Sequence, residues 1–252
     1  MSGQDPFGRP LAGDRAVEVH AGASGAPVQG ERGVRPVRGW CEQELQRELP
    51  GLGLVWTGVQ VGGRRSLTGA SPRPVMRQLS ELSNRWRGAR AINVRQEPVP
   101  AAYRVFFRQI GLDPDATRTP IEQAVLARML EGGFVSRGLL ADVITLALVD
   151  TAVPVWALDA DTVAAPLGIR PSRPGERLGR AGDGPVLGGG RLVVADADGT
   201  VAVLFDHPPD EHRPKRSTRS LLLYTVQVAG VPSLHIEETL WACQSALVDA
   251  CS

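Results

Sequence analysis

The apolar residues of this chain change their spacing near Val153, and that change limits the fold more than any other feature. Upstream they recur at helical intervals. Behind Pro72 and Pro74, Val75, Leu79, Leu82 and Trp86 follow one another at i, i+4, i+7 and i+11, one face of a helix. Further helices are expected over about Ala101 to Ile110, ended by Gly111, and from Thr119-Pro120 to Gly132-Gly133, with Glu122 completing the start signal. Another is expected over Leu139 to Val149. Downstream, PVWALDADTV, RLVVADADGTVAVLFD and SLLLYTVQV read as short strands broken by Gly, Pro and Asp, with Asp196, Asp198 and Gly199 suited to a hairpin turn. Near the start, CEQELQREL predicts a short helix and Leu52 to Val61 a strand. Leu234 to Val248 closes the chain as a helix with a Leu234, Thr239, Leu240, Cys243, Leu247 stripe. Helices and strands in blocks, without strict βαβ alternation, define an α+β protein with a mixed sheet flanked by helices.

The chain has 252 residues, enough to bury a core without metal or disulfide staples. Residues 1–36 hold seven glycines, four prolines and one aromatic, Phe7, with no apolar period. Such a segment does not offset its ordering entropy, so residues 1–37 are expected as a disordered tail and 38–252 as the folded domain. Twenty-eight Lys and Arg against 27 Asp and Glu leave a net charge of +1, which excludes a whole-surface grip on nucleic acid and gives no reason to expect DNA as a partner. Only Lys215 is a lysine, so arginine clusters carry less information here than usual. No apolar run reaches the ~18–20 residues that span a bilayer, and Met1 to Pro10 lacks the build of a secretion leader, so a cytoplasmic protein without membrane contact is expected. Cys41, Cys243 and Cys251 fit neither a disulfide framework nor zinc spacing, and Gly188 to Gly190 lacks the lysine and setting of a phosphate loop; no metal or cofactor is expected.

Three stretches carry a resemblance. Tyr103 to Phe134, Ser136 to Asp161, and the pair Arg191 to Asp206 with Ser217 to Thr225 are similar, in order, to the B3/B4 domain of the phenylalanyl-tRNA synthetase beta subunit and to the free-standing bacterial proteins built on it. The resemblance implies a B3/B4-like domain, and a partner that is tRNA or aminoacyl-tRNA. In the synthetases this domain hydrolyses tyrosine wrongly attached to phenylalanine tRNA, so it also implies a deacylase working in trans. The pocket departs from the synthetase pattern: Thr145 stands where that pattern has Asn, Trp156 where it has His, and Tyr224 where it has Glu. Arg137 and Asp142 match it and would bracket the pocket or scaffold it.

Ester hydrolysis needs a positioned water, a proton acceptor and donors for the oxyanion. The Thr145 hydroxyl can hold water, and His207, between Asp206 and Asp210, is the candidate base; a histidine in a proline-rich loop is otherwise simply solvated. Thr145, Trp156, Phe205 and Tyr224 would line a pocket suited to an aromatic or amino-acid-like ligand with little chemistry of its own. That defines the alternative function, a non-catalytic small-molecule binder. The run His212, Arg213, Lys215, Arg216, Arg219 is the densest basic patch, either an RNA phosphate contact or a solvated loop.

Overall fold

The computed structural model describes residues 29–30, 33–62, 65–86, 88–179 and 184–252. Of the expected tail, residues 1–28 and 31–32 lie outside the described residues. Within it, β1 (Gln29–Gly30) pairs with β2 (Gly33–Val34), and Val37 already belongs to β3 (Val37–Arg38). The elements that follow are β4 (Trp40–Cys41), α1 (Gln43–Glu48), β5 (Gly53–Gln60), α2 (Arg73–Arg85), α3 (Ala89–Asn93), α4 (Pro98–Gln109), α5 (Pro120–Glu131) and α6 (Leu139–Thr151). After them come β6 (Val155–Asp159), β7 (Gly168–Pro171), β8 (Leu192–Ala195), β9 (Thr200–Val203), β10 (Ser220–Gln227) and α7 (Ser233–Cys251).

The class is α+β, with two four-stranded sheets where one mixed sheet was expected. The first, in the order β3-β5-β10-β6, is antiparallel throughout. The second, β4-β7-β8-β9, carries one parallel pair, β4 with β7. Strand β10 is buried at six of its eight positions because it is paired on both edges and covered on its faces, which is why its apolar residues Leu221 to Tyr224 read as a continuous run and not an alternation. One core joins the sheets, with Leu54, Leu223 and Val226 from the first and Ile169, Val194 and Ala202 from the second. Helix α7 lies on β5 and β10 and packs against α6. A second cluster, with Leu82, Trp86, Ile121, Val125 and Val149, fills the space between α2, α5 and α6.

Local signals explain most boundaries. The Glu122 carboxylate accepts from the Thr119 backbone N (3.1 Å) and Oγ1 (2.7 Å) and also pairs with Arg104 (2.6 Å), so one side chain starts α5 and ties it to α4. The chain crosses from one sheet to the other at Gly39, whose N–H donates to Leu54 O at 2.9 Å while Trp40 N–H donates to Leu167 O at 3.1 Å. A Cβ at residue 39 would lie 2.2 Å from Leu167 O, a backbone atom with little freedom to yield. Gly39→Ala is therefore expected to cost about 1–3 kcal/mol by overpacking, read as a lowered midpoint in urea unfolding.

Between β7 and β8, Arg170 holds Glu176 at 2.5 Å, and Thr200 Oγ1 and the Arg173 N–H donate to the same carboxylate. These bonds, the Arg170 one foremost, hold its acid down to about 2 from an ordinary 4.5. A folded-state value below the unfolded one means that this stabilisation is complete above about pH 4.5 and is lost as pH falls toward 2. Glu176→Gln is expected to flatten the stability profile across that window, measured as melting temperature against pH.

Candidate functional site: an aromatic cluster and a basic cleft

Trp156 and Tyr224 face each other in register on β6 and β10, and their rings stack with centroids 5.5 Å apart and planes 16° apart. On its other edge Tyr224 pairs with Trp56, so three aromatics sit side by side across the sheet. Phe205 completes the group. Its backbone is left-handed (φ 64°), a conformation that costs a bulky residue about 1 kcal/mol or more. That geometry sets its ring against Tyr103, Phe106, Phe107 and Trp156 at 4.9–5.9 Å. Of these ring contacts, the edge-on ones to Tyr103 and Trp156 contribute about 0.5–1.5 kcal/mol each and offset the strain.

Three of the four expected pocket-lining residues, Trp156, Phe205 and Tyr224, are thus brought together, but as neighbours of one another packed into the core. Trp156 is 8% exposed and Tyr224 1%. Burial pushes the Tyr224 phenol well above its ordinary value, and the charge of Asp206 pushes it further, so it stays a neutral hydroxyl. Trp56 Nε1 is buried without an acceptor among the described residues.

The two residues expected to do chemistry are occupied elsewhere or solvated. Thr145 Oγ1 donates to Ala141 O at 2.8 Å within α6. His207 is exposed, and its backbone N–H donates to Asp206 Oδ1 at 2.8 Å. Asp142, only 2% exposed, accepts from Ser71 Oγ (2.5 Å), Ser136 Oγ (2.5 Å) and the Arg137 backbone N–H (2.7 Å). The Arg137 guanidinium turns outward to Glu131 at 2.5 Å. Asp142 is therefore a fastener. It holds the segment before α2 and the turn before α6 together, and the Leu139 and Leu140 N–H groups extend the seam to Gly69 O and Leu67 O at 2.9 Å. Gly138, at φ 107° with Thr68 O 3.2 Å from where a Cβ would sit, permits the close approach.

That seam forms one wall of a cleft of about 630 Å³ lined by Arg65, Ser66, Gly69, Lys215, Arg216 and Arg219. The opposite wall is held from below by the buried carboxylate of Asp159. Thr218 Oγ1 donates to Asp159 at 2.5 Å and accepts from Lys215 N at 2.9 Å, while Asp159 N–H donates to His212 O. Arg219 donates to the carbonyls of Arg216 (3.2 Å) and Thr218 (3.0 Å). Among the described residues Arg65, Lys215, Arg216 and Arg219 make no ion pair with a carboxylate. The rest of the basic run separates from them: Arg213 pairs with Asp210 at 2.6 Å, and His212 is buried with Nδ1 3.1 Å from Thr162 Oγ1.

Sequence reasoning passed over Arg65, which lies 150 residues before Lys215 and meets it only because Val61, at the end of β5, donates its N–H to Arg219 O. It also passed over Trp241, whose indication was its position off the apolar stripe of α7. No metal-holding group of His, Cys, Asp and Glu occurs among the described residues, and no helix among them is long and apolar enough to cross a membrane.

The fold and the cleft define an α+β protein with a focused basic surface. Part of the chain is related to the phenylalanine–tRNA ligase beta subunit. It is 33% identical over 114 residues to that of Xanthomonas campestris pv. campestris, which is 45% of this chain and 14% of that protein. To that of Xylella fastidiosa it is 37% identical over 95 residues, or 37% of this chain and 12% of that one. The matched region is thus about a seventh of the length of these curated relatives. No protein-family model matches the chain.

If Trp156 is a core side chain, Trp156→Ala is expected to cost about 3–5 kcal/mol in chemical unfolding. A loss below about 1 kcal/mol would instead mark a pocket wall with room behind it.

Proposed function

We propose that this protein is a relative of the phenylalanyl-tRNA synthetase beta subunit, built on a B3/B4-like domain from about residue 38 to 252, that binds tRNA or aminoacyl-tRNA in trans, in the cytoplasm. The cleft of Arg65, Lys215, Arg216 and Arg219 is its phosphate contact. The observation that carries this reading is that four cations without carboxylate partners among the described residues converge on one cleft of a chain whose net charge is +1. A nearly neutral protein attracts a polyanion only where its cations are gathered and left uncompensated.

Binding is favoured over hydrolysis. Thr145 spends its proton on Ala141 O, and His207 stands in an exposed loop, so neither has been drawn into a shared constellation. The small-ligand alternative is weakened by the same packing that brings Trp156, Phe205 and Tyr224 into contact.

One experiment separates these readings. A panel of correctly and wrongly charged tRNAs is assayed for binding across a salt series and for release of the amino acid. Salt-dependent binding is expected, with Lys215→Ala or Arg216→Ala each lowering the slope of log K against log salt by about 0.7–0.9. Release above the spontaneous rate that falls in Thr145→Ala or His207→Ala would make the protein a deacylase. Binding indifferent to salt, or none, would refute the RNA reading.

A further inference from the structure

Beside the basic cleft runs a second groove, of about 1090 Å³, between the start of α2 and the last turns of α7. Arg65 lines both. The remaining wall mixes apolar Pro72, Pro74, Val75 and Ala246 with polar Gln78, Ser245 and Asp249, and Trp241 is its one aromatic side chain among the described residues. The inward face of α7 is taken by Ile236, Leu240, Cys243 and Leu247, all fully buried, whereas Trp241 is 61% exposed. A largely solvated indole, on a groove that shares Arg65 with a cleft of cations without carboxylate partners among the described residues, is the pairing that single-stranded nucleic-acid sites use, stacking for the base and charge for the backbone.

Arg65 joins the two grooves, and Cys251 lines the second. Its thiol is pushed up by burial, while Arg65 and Arg219 pull it the other way. Asp249 is the carboxylate side chain on this groove. It repels phosphate, which leaves the phosphates to the neighbouring cleft, and it offers acceptor oxygens to the amino edge of a base.

We infer that the Trp241 groove seats an unpaired base of a single-stranded RNA segment whose phosphates occupy the adjoining cleft of Arg65, Lys215, Arg216 and Arg219. The inference rests on the RNA-binding reading above and adds to it a requirement for single-stranded character.

The test uses the full chain and two labelled RNA hairpins with the same stem, one blunt and one with a short single-stranded 3′ overhang, titrated by fluorescence anisotropy. The overhung hairpin is expected to bind more tightly. Trp241→Ala is expected to weaken that hairpin by about tenfold and leave the blunt one unchanged. Trp241→Gln, which keeps an extended side chain able to hydrogen-bond but loses the ring face, is expected to behave like the alanine variant, and both should melt near the parent temperature because the ring is mostly solvated. If neither hairpin binds the parent in a salt-dependent way, the RNA reading fails and this inference with it. If both bind with salt dependence but equally, or if the Trp241 variants bind the overhung hairpin as the parent does, this inference alone is overturned.

Discussion

Strand β10 is hydrogen-bonded to β5 along one edge and to β6 along the other, and its side chains are buried on both faces. Nearly everything else takes its position from that arrangement. The pairing puts Trp56, Tyr224 and Trp156 in one row, the faces give α7 its bed, and the N-terminal end of β10 delivers Arg219 beside the end of β5. A strand so enclosed has no register to slip into without exposing its apolar residues. The loop leading into it is thus anchored by the sheet although its own residues are polar and solvated.

Two buried carboxylates do for the cleft what β10 does for the core. Asp142 secures one wall and Asp159 the other, each accepting short bonds from hydroxyls and from nothing catalytic. A buried carboxylate with two or three donors, as Asp159 and Asp142 have, is far less mobile than the exposed cations it supports, and removing it would strand those donors. Arg219 is held by backbone carbonyls, and among the described residues none of the four cleft cations pairs with a carboxylate, which leaves their charge available to an incoming anion.

Much of the fold was legible in the sequence. Helices α2, α4, α5, α6 and α7 follow from the 3.6-residue period and from Pro and Gly punctuation, and β5, β6 and β10 from their β-branched and aromatic runs. The division into two sheets was not legible, because it depends on a crossing at Gly39 that two-residue strands on either side conceal. The site was legible only in part. Trp156, Phe205 and Tyr224 do meet, but a sequence does not tell a lined pocket from a filled one; that depends on whether Phe106 and Phe107 arrive from α4 to close it. Arg213 and Lys215 look alike as neighbours in a basic run, yet only the fold shows that Asp210 claims the first.

The lone lysine gives the cleft one more property. Arginine supplies charge that ordinary cellular chemistry seldom removes, whereas an ε-amine can be acylated or captured by an aldehyde. Of the side chains in this protein, Lys215 alone is an amine, and it is exposed on the cleft wall. An RNA whose terminal ribose has been oxidised to a dialdehyde would therefore find a single side-chain amine to condense with, and the covalent address of the bound strand would be this cleft.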